Sequence, residues 1–255
     1  MMQPSRVLGW LLLFQQFALA VGFVVSPARV SVTVPVAKPL TEVVTVQNNS
    51  ADTARFRAYL IDWTVTPTGE DTVFEPSDFA RSCSPWLQIN PVEFEIPSDT
   101  SQEVRLTFTP PLGAEGGYWS MLYVESKPIP ATWSTRVLLN ARIGVRVFVS
   151  IAGTEVRTCN LTDLRVDTGE SLQVTGKVAN TGNVPVRLKG RMEIRGNDGK
   201  ALWQNECNQL ALPGQEARLS AKPDVPLPKG EYLAVLTLDY GGEALLVGER
   251  AVTVR

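Results

Sequence analysis

The sequence predicts an all-β protein: two immunoglobulin-like β-sandwich domains in tandem, after a cleaved signal peptide. Short segments of alternating apolar and polar residues recur along the chain, and Pro, Gly, Asn and Asp separate them. No convincing helical pattern interrupts this series. Regularly spaced short strands with turn signals between them are typical of sandwiches and barrels. The first twenty residues differ and have the pattern of an export signal.

Residues 1–20 form the predicted signal peptide. Arg6 is the only charge in the first ten residues, VLGWLLLF is a short apolar core, and FALA provides a cleavage site after Ala20. The alternative is an uncleaved membrane anchor. However, Gln15 and Gln16 interrupt the apolar stretch, which is shorter than the ~20 residues a spanning helix needs. We therefore expect an exported, periplasmic protein, with the cell surface as the alternative location.

Residues 21–150 are predicted to form the first domain, with about seven or eight strands. The segment TPTGEDT, 66–72, is expected to be a turn. The predicted strands are 30–34, 41–47, 55–65, 86–89, 92–96, 103–108, 118–124 and 136–149.

Residues 151–155, IAGTE, are the predicted linker, and residues 156–255 form the second domain. Its explicit turns are DTGE, NTGN, GNDGK, LPGQ and LPKGEY. About seven strands in about 100 residues fit an immunoglobulin-like sandwich. The Cys–Trp–Cys spacing of antibody domains is not met, so the similarity is one of architecture. The predicted strands are 161–166, 172–179, 186–194, 201–203, 217–221, 232–239 and 244–254.

Composition and motifs argue against an enzyme. The chain has no histidine, which is the commonest general acid–base and metal ligand. The single Asp167–Thr168–Gly169 is read as a turn, because aspartic proteases need two such aspartates. Phosphate-binding loops, G-x-S-x-G and Cys/His metal spacings are missing from the sequence. We therefore predict no cofactor, no metal and no small-molecule substrate. The net charge of −2 gives no field that favours nucleic acid, so we predict no nucleic-acid partner.

Three cysteines are an odd number for an exported protein, in which one pair is commonly oxidised. Cys159 and Cys207 both lie in the second domain, and we favour a disulfide between them. Cys83 would then be free. Three separate buried thiols are the alternative.

The stretch STRVLLNARIGVRVFV, 134–149, alternates throughout, and its predicted strand from residue 136 is unusually long. At ~3.3 Å per residue it would extend ~45 Å, against ~17–20 Å for a typical strand. Val145, Val147 and Val149 are expected to face the domain's own core. The earlier part would project past that core and need a partner, as in recognition by strand addition. The apolar residues of this strand-addition face are Val137, Leu139, Ala141 and Ile143.

Two arginines are candidates for a binding site. Arg29 lies in the entry strand, and Arg146 lies on the other face of the long strand. Either one alone is most simply a solvated charge, because arginine is mostly exposed. Together, two planar guanidiniums suit the grasp of a carboxylate.

An ordered series of short motifs precedes the long strand. The motifs are VSPARV (25–30), QNNS (47–50), SPWL (84–87), Pro91, EVRLTF (103–108), and Tyr118–Trp119 with Met121. With this series, the sequence over about residues 23–152 resembles the first domain of periplasmic PapD-like pilus chaperones. The second domain resembles immunoglobulin-like bacterial domains in general.

This resemblance implies a chaperone that binds exported, pilin-like subunits, with an outer-membrane usher as a possible further partner. The long strand would complete the sheet of the subunit through its alternating apolar residues. Arg29 and Arg146 would anchor the C-terminal carboxylate of the subunit, with Arg146 standing where the family has a lysine. The alternative is a structural or adhesive protein of the cell envelope that has the same fold but no chaperone activity.

Overall fold

The structure is a computed structural model that describes residues 22–76, 79–127, 140–168, 172–224 and 227–254. Within these ranges the chain forms seventeen strands and one 3-10 turn, Ser84–Trp86. No helix in them is long and apolar enough to cross a membrane. The predicted signal peptide lies outside the described residues, as do Val137 and Leu139.

Ten strands form the first sandwich. One sheet has the order β1-β3-β8-β6, and the facing sheet has the order β2-β10-β9-β4-β5, with β7 also paired to β4. The strands are β1 (Phe23–Ser26), β2 (Arg29–Val34), β3 (Leu40–Asn48), β4 (Ala54–Val65), β5 (Asp71–Phe74), β6 (Leu87–Asn90), β7 (Glu93–Ile96), β8 (Ser101–Phe108), β9 (Gly117–Lys127) and β10 (Arg142–Ile151).

The core of this sandwich lies between the two sheets, where the alternation of the sequence predicts it. Val145, Val147 and Val149 of β10 are buried in it, as expected. Phe56 of β4 and Leu122 of β9 are also buried there. Burial of a side chain of this size contributes ~1.5–3 kcal/mol, so this alternating face supplies much of the driving force for folding.

Seven strands form the second sandwich, the number that its turns predict. The sheets have the orders β11-β12-β15 and β14-β13-β16-β17, and all their pairings are antiparallel. Leu188, Met192 and Leu236 are completely buried between them. The strands are β11 (Cys159–Asp167), β12 (Gln173–Asn180), β13 (Val186–Arg195), β14 (Ala201–Ala211), β15 (Glu216–Ala221), β16 (Gly230–Asp239) and β17 (Leu246–Val254).

A third apolar cluster joins the two sandwiches. Its members come from the outer face of β4, β9 and β10 and from the end of β14 and the residue after it. The carbonyl oxygen of Pro67 accepts hydrogen bonds from Gln209 Nε2 (2.6 Å) and from the backbone N–H of Arg218 (2.7 Å). The interface is therefore both packed and hydrogen-bonded. The buried members of the cluster are Ile61, Trp63, Val65, Trp119, Met121, Phe148, Leu210 and Leu212.

The structure does not contain the predicted disulfide, because Cys159 and Cys207 are both free thiols. Cys159 begins β11 and pairs in register with Asn180. Cys207 lies on β14, in the other sheet of the sandwich, and the two thiols are not joined.

Candidate functional site

The two predicted anchor residues, Arg29 and Arg146, are direct neighbours across a pair of strands. β2 and β10 run parallel, and their register places Arg146 opposite Arg29. The backbone N–H of Arg146 donates to the carbonyl oxygen of Ala28 at 3.3 Å, which begins this ladder. The fold thus brings together two arginines that lie far apart in the sequence.

Aromatic rings support both guanidiniums on the outer face of the sheet. The Arg29 guanidinium lies 4.3 Å from the centre of the Phe148 ring, and that of Arg146 lies 5.2 Å from the centre of the Trp63 ring. The two rings pack edge to face, with centroids 5.6 Å apart. Both rings belong to the interface cluster between the domains. The positions of the cations are therefore tied to the way the domains pack.

Asp71 is a site residue that the sequence analysis missed. Its segment was expected to be a turn, but the structure forms β5 there, which pairs with β4 so that Asp71 lies opposite Val65. Arg146 Nη2 donates to the two Asp71 carboxylate oxygens at 2.8 and 2.6 Å, and Arg146 Nε donates at 3.1 Å. The alternation of DTVF after a Gly-containing turn was the available signal for a hairpin.

Arg29 has a different electrostatic setting, since it forms no ion pair with any residue that the structure describes. Its Nε donates to the hydroxyl of Ser31 at 2.8 Å. Partial burial lowers the pKa of Arg29, and the positive charges of Arg187 and then Arg146 lower it further. Arg187 belongs to β13 of the second domain. Positive charge therefore exceeds negative charge around Arg29 and Arg146, and the site favours an anion.

An open pocket of about 480 Å³ lies beside these groups. It is bounded by the outer face of β9 and β10, by β5, and by the residue preceding β2. Charged and apolar side chains both line it, so it can receive an extended chain with a charged end. The lining residues are Ala28, Asp71, Val73, Met121, Tyr123, Arg142, Gly144 and Arg146.

The first half of β10 has an open edge next to this pocket. β9 pairs with β10 from Arg142 onward, whereas β2 pairs with it only from Arg146. The carbonyl oxygen of Ala141 accepts from Ser126 N–H on the β9 side, and Arg146 N–H points to the β2 side. Because backbone groups alternate along a strand, the N–H groups of Arg142 and Gly144 point to the open edge. Among the described residues, no strand covers that edge.

The described part of the predicted strand-addition face is already in contact with its own domain. Ala141 and Ile143 are half-buried and pack against the first core, so they do not project beyond it as expected. They continue the face of Val145, and β9 still flanks them. Among the described residues β10 begins at Arg142, and residues 136–139 of the predicted strand lie outside them.

Other chemistry at the site is limited. The Arg142 guanidinium lies 4.3 Å from the centre of the Tyr123 ring and donates to the hydroxyl of Tyr59 at 3.2 Å. These two contacts hold the exposed Arg142 side chain against the sheet. Across the described ranges, no group of three or more His, Cys, Asp or Glu residues is placed to hold a metal ion.

Comparison with known proteins identifies the fold. No protein-family model matches the chain, and no curated protein matches it by sequence. The structure is similar to that of the class 5 fimbriae chaperone CfaA, with a TM-score of 0.53, 15% identity, and coverage of 89% of this chain and 98% of that one. A second similar chain comes from the chaperone–tip adhesin complex of CFA/I fimbriae biogenesis, with a TM-score of 0.51, 14% identity, and coverage of 89% and 98%.

These comparisons confirm the predicted PapD-like fold and extend it. The resemblance in sequence covers about residues 23–152, whereas the structural similarity covers 89% of the chain and so includes the second domain. At these identities the similarity concerns the fold. The chain thus has the two-domain β-sandwich fold of the fimbrial chaperones.

Proposed function

We propose that the protein is a non-enzymatic periplasmic chaperone that binds exported, fimbrial-type subunits by strand addition and by anchoring a C-terminal carboxylate. The observation that carries this proposal is the register pairing of Arg29 with Arg146 at the end of an open strand edge. The edge offers backbone groups to an extended chain, and the arginines offer charge to its end.

The arrangement also supports one direction for a bound subunit strand. Beyond the open edge, the place next to β10 is occupied by β2, which starts at Arg29. A strand that fills the open edge and ends at the arginines must therefore run parallel to β10. Its last residue would then meet the two guanidiniums, and its backbone would bond with the Arg142 and Gly144 groups.

The partners follow from this mechanism. The client is an exported subunit that lacks a strand, and an outer-membrane usher is a possible second partner. Strand addition covers an edge of the subunit that would otherwise aggregate. The fold that the chain shares with a fimbriae chaperone and with a chain of a chaperone–adhesin complex supports this role.

Co-purification from the periplasm tests the proposal. We expect the wild-type protein to bring down a subunit, and the Arg29→Ala/Arg146→Ala double variant to bring down at least about tenfold less, because charge-assisted hydrogen bonds contribute about 1.5–3 kcal/mol. Arg105→Ala/Arg165→Ala is the matched control, since both of these arginines are exposed. The proposal fails if the wild type brings down no subunit, or if the Arg29/Arg146 variant brings down as much.

A further inference from the structure

We propose that the carboxylate anchor spans both domains: Arg29 and Arg187 receive the incoming carboxylate, while Asp71 already engages Arg146. This inference rests on the proposed function, because it assumes that a client's C-terminus reaches the site. It changes which pair of arginines makes the contact. It also gives the second domain a direct part in binding.

The packing of the domains places Arg187 and Arg29 beside the same interface cluster. Arg187 lies on β13 directly opposite Leu210 of β14, so both side chains project from the same face of that sheet. Leu210 belongs to the interface cluster that also contains Phe148. The Arg29 guanidinium lies on the Phe148 ring, 4.3 Å from its centre. Arg29 and Arg187 therefore approach from opposite sides of the interface.

The charges at the site support the same pair. Of the two arginines that lower the pKa of Arg29, Arg187 has the larger effect, although Arg146 is its register partner. Arg187 Nη1 donates to the side-chain oxygen of Asn208 at 2.9 Å, and that amide carries no charge. Neither Arg29 nor Arg187 has an ion-pair partner among the residues described. Two like charges near each other raise the energy of the empty site and favour an anion between them.

Arg146, in contrast to Arg29 and Arg187, is already paired with a carboxylate. Its guanidinium forms three hydrogen bonds with Asp71, and both side chains are only about one-third exposed, at 35% and 28%. An incoming carboxylate would have to compete with an intramolecular one that is already bound bidentately. Arg29 and Arg187 face no such competitor. The function of the Arg146–Asp71 pair is then to position the β5 side of the pocket.

Peptide binding to the full exported chain separates these roles. The probe is a fluorescently labelled peptide of alternating valine and serine, in a form with a free C-terminal carboxylate and in a matched C-terminal amide form. Fluorescence anisotropy gives the affinity of both forms for the wild type and for Arg29→Ala, Arg187→Ala and Arg146→Ala. Lys189→Ala is the matched control, because Lys189 is an exposed cation on the same strand and face as Arg187.

We expect Arg29→Ala and Arg187→Ala each to lower the affinity for the carboxylate form by about tenfold or more. Binding of the amide form should stay unchanged, which also shows that the variants are folded. Lys189→Ala should keep the preference for the carboxylate, and Arg146→Ala should reduce it less than Arg187→Ala does, because Asp71 already engages Arg146. The inference is overturned if Arg187→Ala keeps that preference and Arg146→Ala loses it, an outcome that leaves the proposed function intact. If the wild type does not distinguish carboxylate from amide, carboxylate anchoring itself is wrong.

Discussion

At the residue scale, Arg146 and Asp71 show how a predicted site residue acquires a partner that local sequence does not identify. The alternation of β10 predicts the face on which Arg146 lies. It carries no information about the hairpin that delivers Asp71 to the same face. Nor could it predict a part for Arg187, which belongs to the second domain. Of Arg29, Arg146 and Arg187, the sequence therefore identifies the two on the first domain's own strands.

The Arg146–Asp71 pair should contribute modestly to stability. We predict that Asp71→Asn lowers the free energy of unfolding by about 1 kcal/mol, because the pair is about one-third exposed and is joined by three hydrogen bonds. Urea denaturation measures the change. Asp198→Asn is the control, since its ion pair with Lys200 is exposed and should contribute little. Equal effects of the two substitutions would contradict the special role of the Asp71 pair.

The three cysteines provide a second test at this scale. Burial raises the pKa of Cys83 to about 12, and the pKa of Cys159 and of Cys207 to about 11. The native protein should react slowly with thiol reagents at pH 8, and the unfolded chain should yield three thiols. A mass measurement without reductant would reveal a disulfide, which would contradict the structure.

The raised thiol pKa values also determine how stability changes with pH. An unfolded thiol ionises near ~8.5, whereas the buried thiols stay protonated, so alkaline pH favours the unfolded state. The contribution of the buried thiols to stability is fully present below pH ~8.5, and it is lost as the pH rises towards the pKa values of these thiols in the folded protein. We predict that Cys83→Ala flattens the fall in unfolding free energy above pH 9 by up to about 1.4 kcal/mol per pH unit. Identical slopes in both proteins would contradict this.

At the element scale, strands with clear alternation could be predicted, and weakly patterned edge strands could not. β13 was expected over 186–194 and is observed as Val186–Arg195. β14 was expected to end at residue 203, but it continues to Ala211 through the polar run QNECNQ. This strand is the edge of its sheet, so polar side chains are compatible with its position. Pairing with β13 decides its length, and pairing is not visible in the strand's own composition.

The open edge of β10 gives a prediction that separates backbone from side chain. Arg142→Pro removes an N–H group that points to the open edge and leaves the pairing with β9 in place. We expect it to lower subunit co-purification by about tenfold, consistent with the loss of an edge contact in strand addition. Arg142→Ala removes only the side chain and should retain binding. If the two variants behave alike, the edge backbone is not where the client adds.

At the scale of the whole molecule, the sequence predicts two sandwiches, but the site depends on how they pack. Leu210 and Leu212 of the second domain complete a cluster with Trp63 and Phe148 of the first. Gly116, in the loop before β9, has a φ of +74°, and a Cβ there would lie 2.7 Å from the Asn183 carbonyl oxygen of the second domain. Such contacts link residues with no local relation in sequence. The alternation of single strands therefore could not predict the interface between the domains.

The interface should also control binding from a distance. Leu212 is fully buried, and Leu212→Ala should cost about 2–5 kcal/mol, as is usual for a buried leucine. We predict a lower unfolding temperature and a weaker preference for a peptide carboxylate, because Arg187 would no longer be held near Arg29. Leu202→Ala, at a second-domain position that is 48% exposed, is the control. A destabilised variant that keeps its full preference would contradict the link between interface and anchor.

The central claim, that a client strand adds to the open edge of β10, is tested most directly by amide hydrogen exchange. The measurement compares the free protein with the complex co-purified with its subunit. We predict that the N–H groups of Arg142 and Gly144 exchange fast in the free protein and become protected in the complex. The N–H groups of Val145 and Val147, which face β9, should be protected in both states. Unchanged fast exchange at Arg142 and Gly144 in the complex would contradict strand addition at this edge.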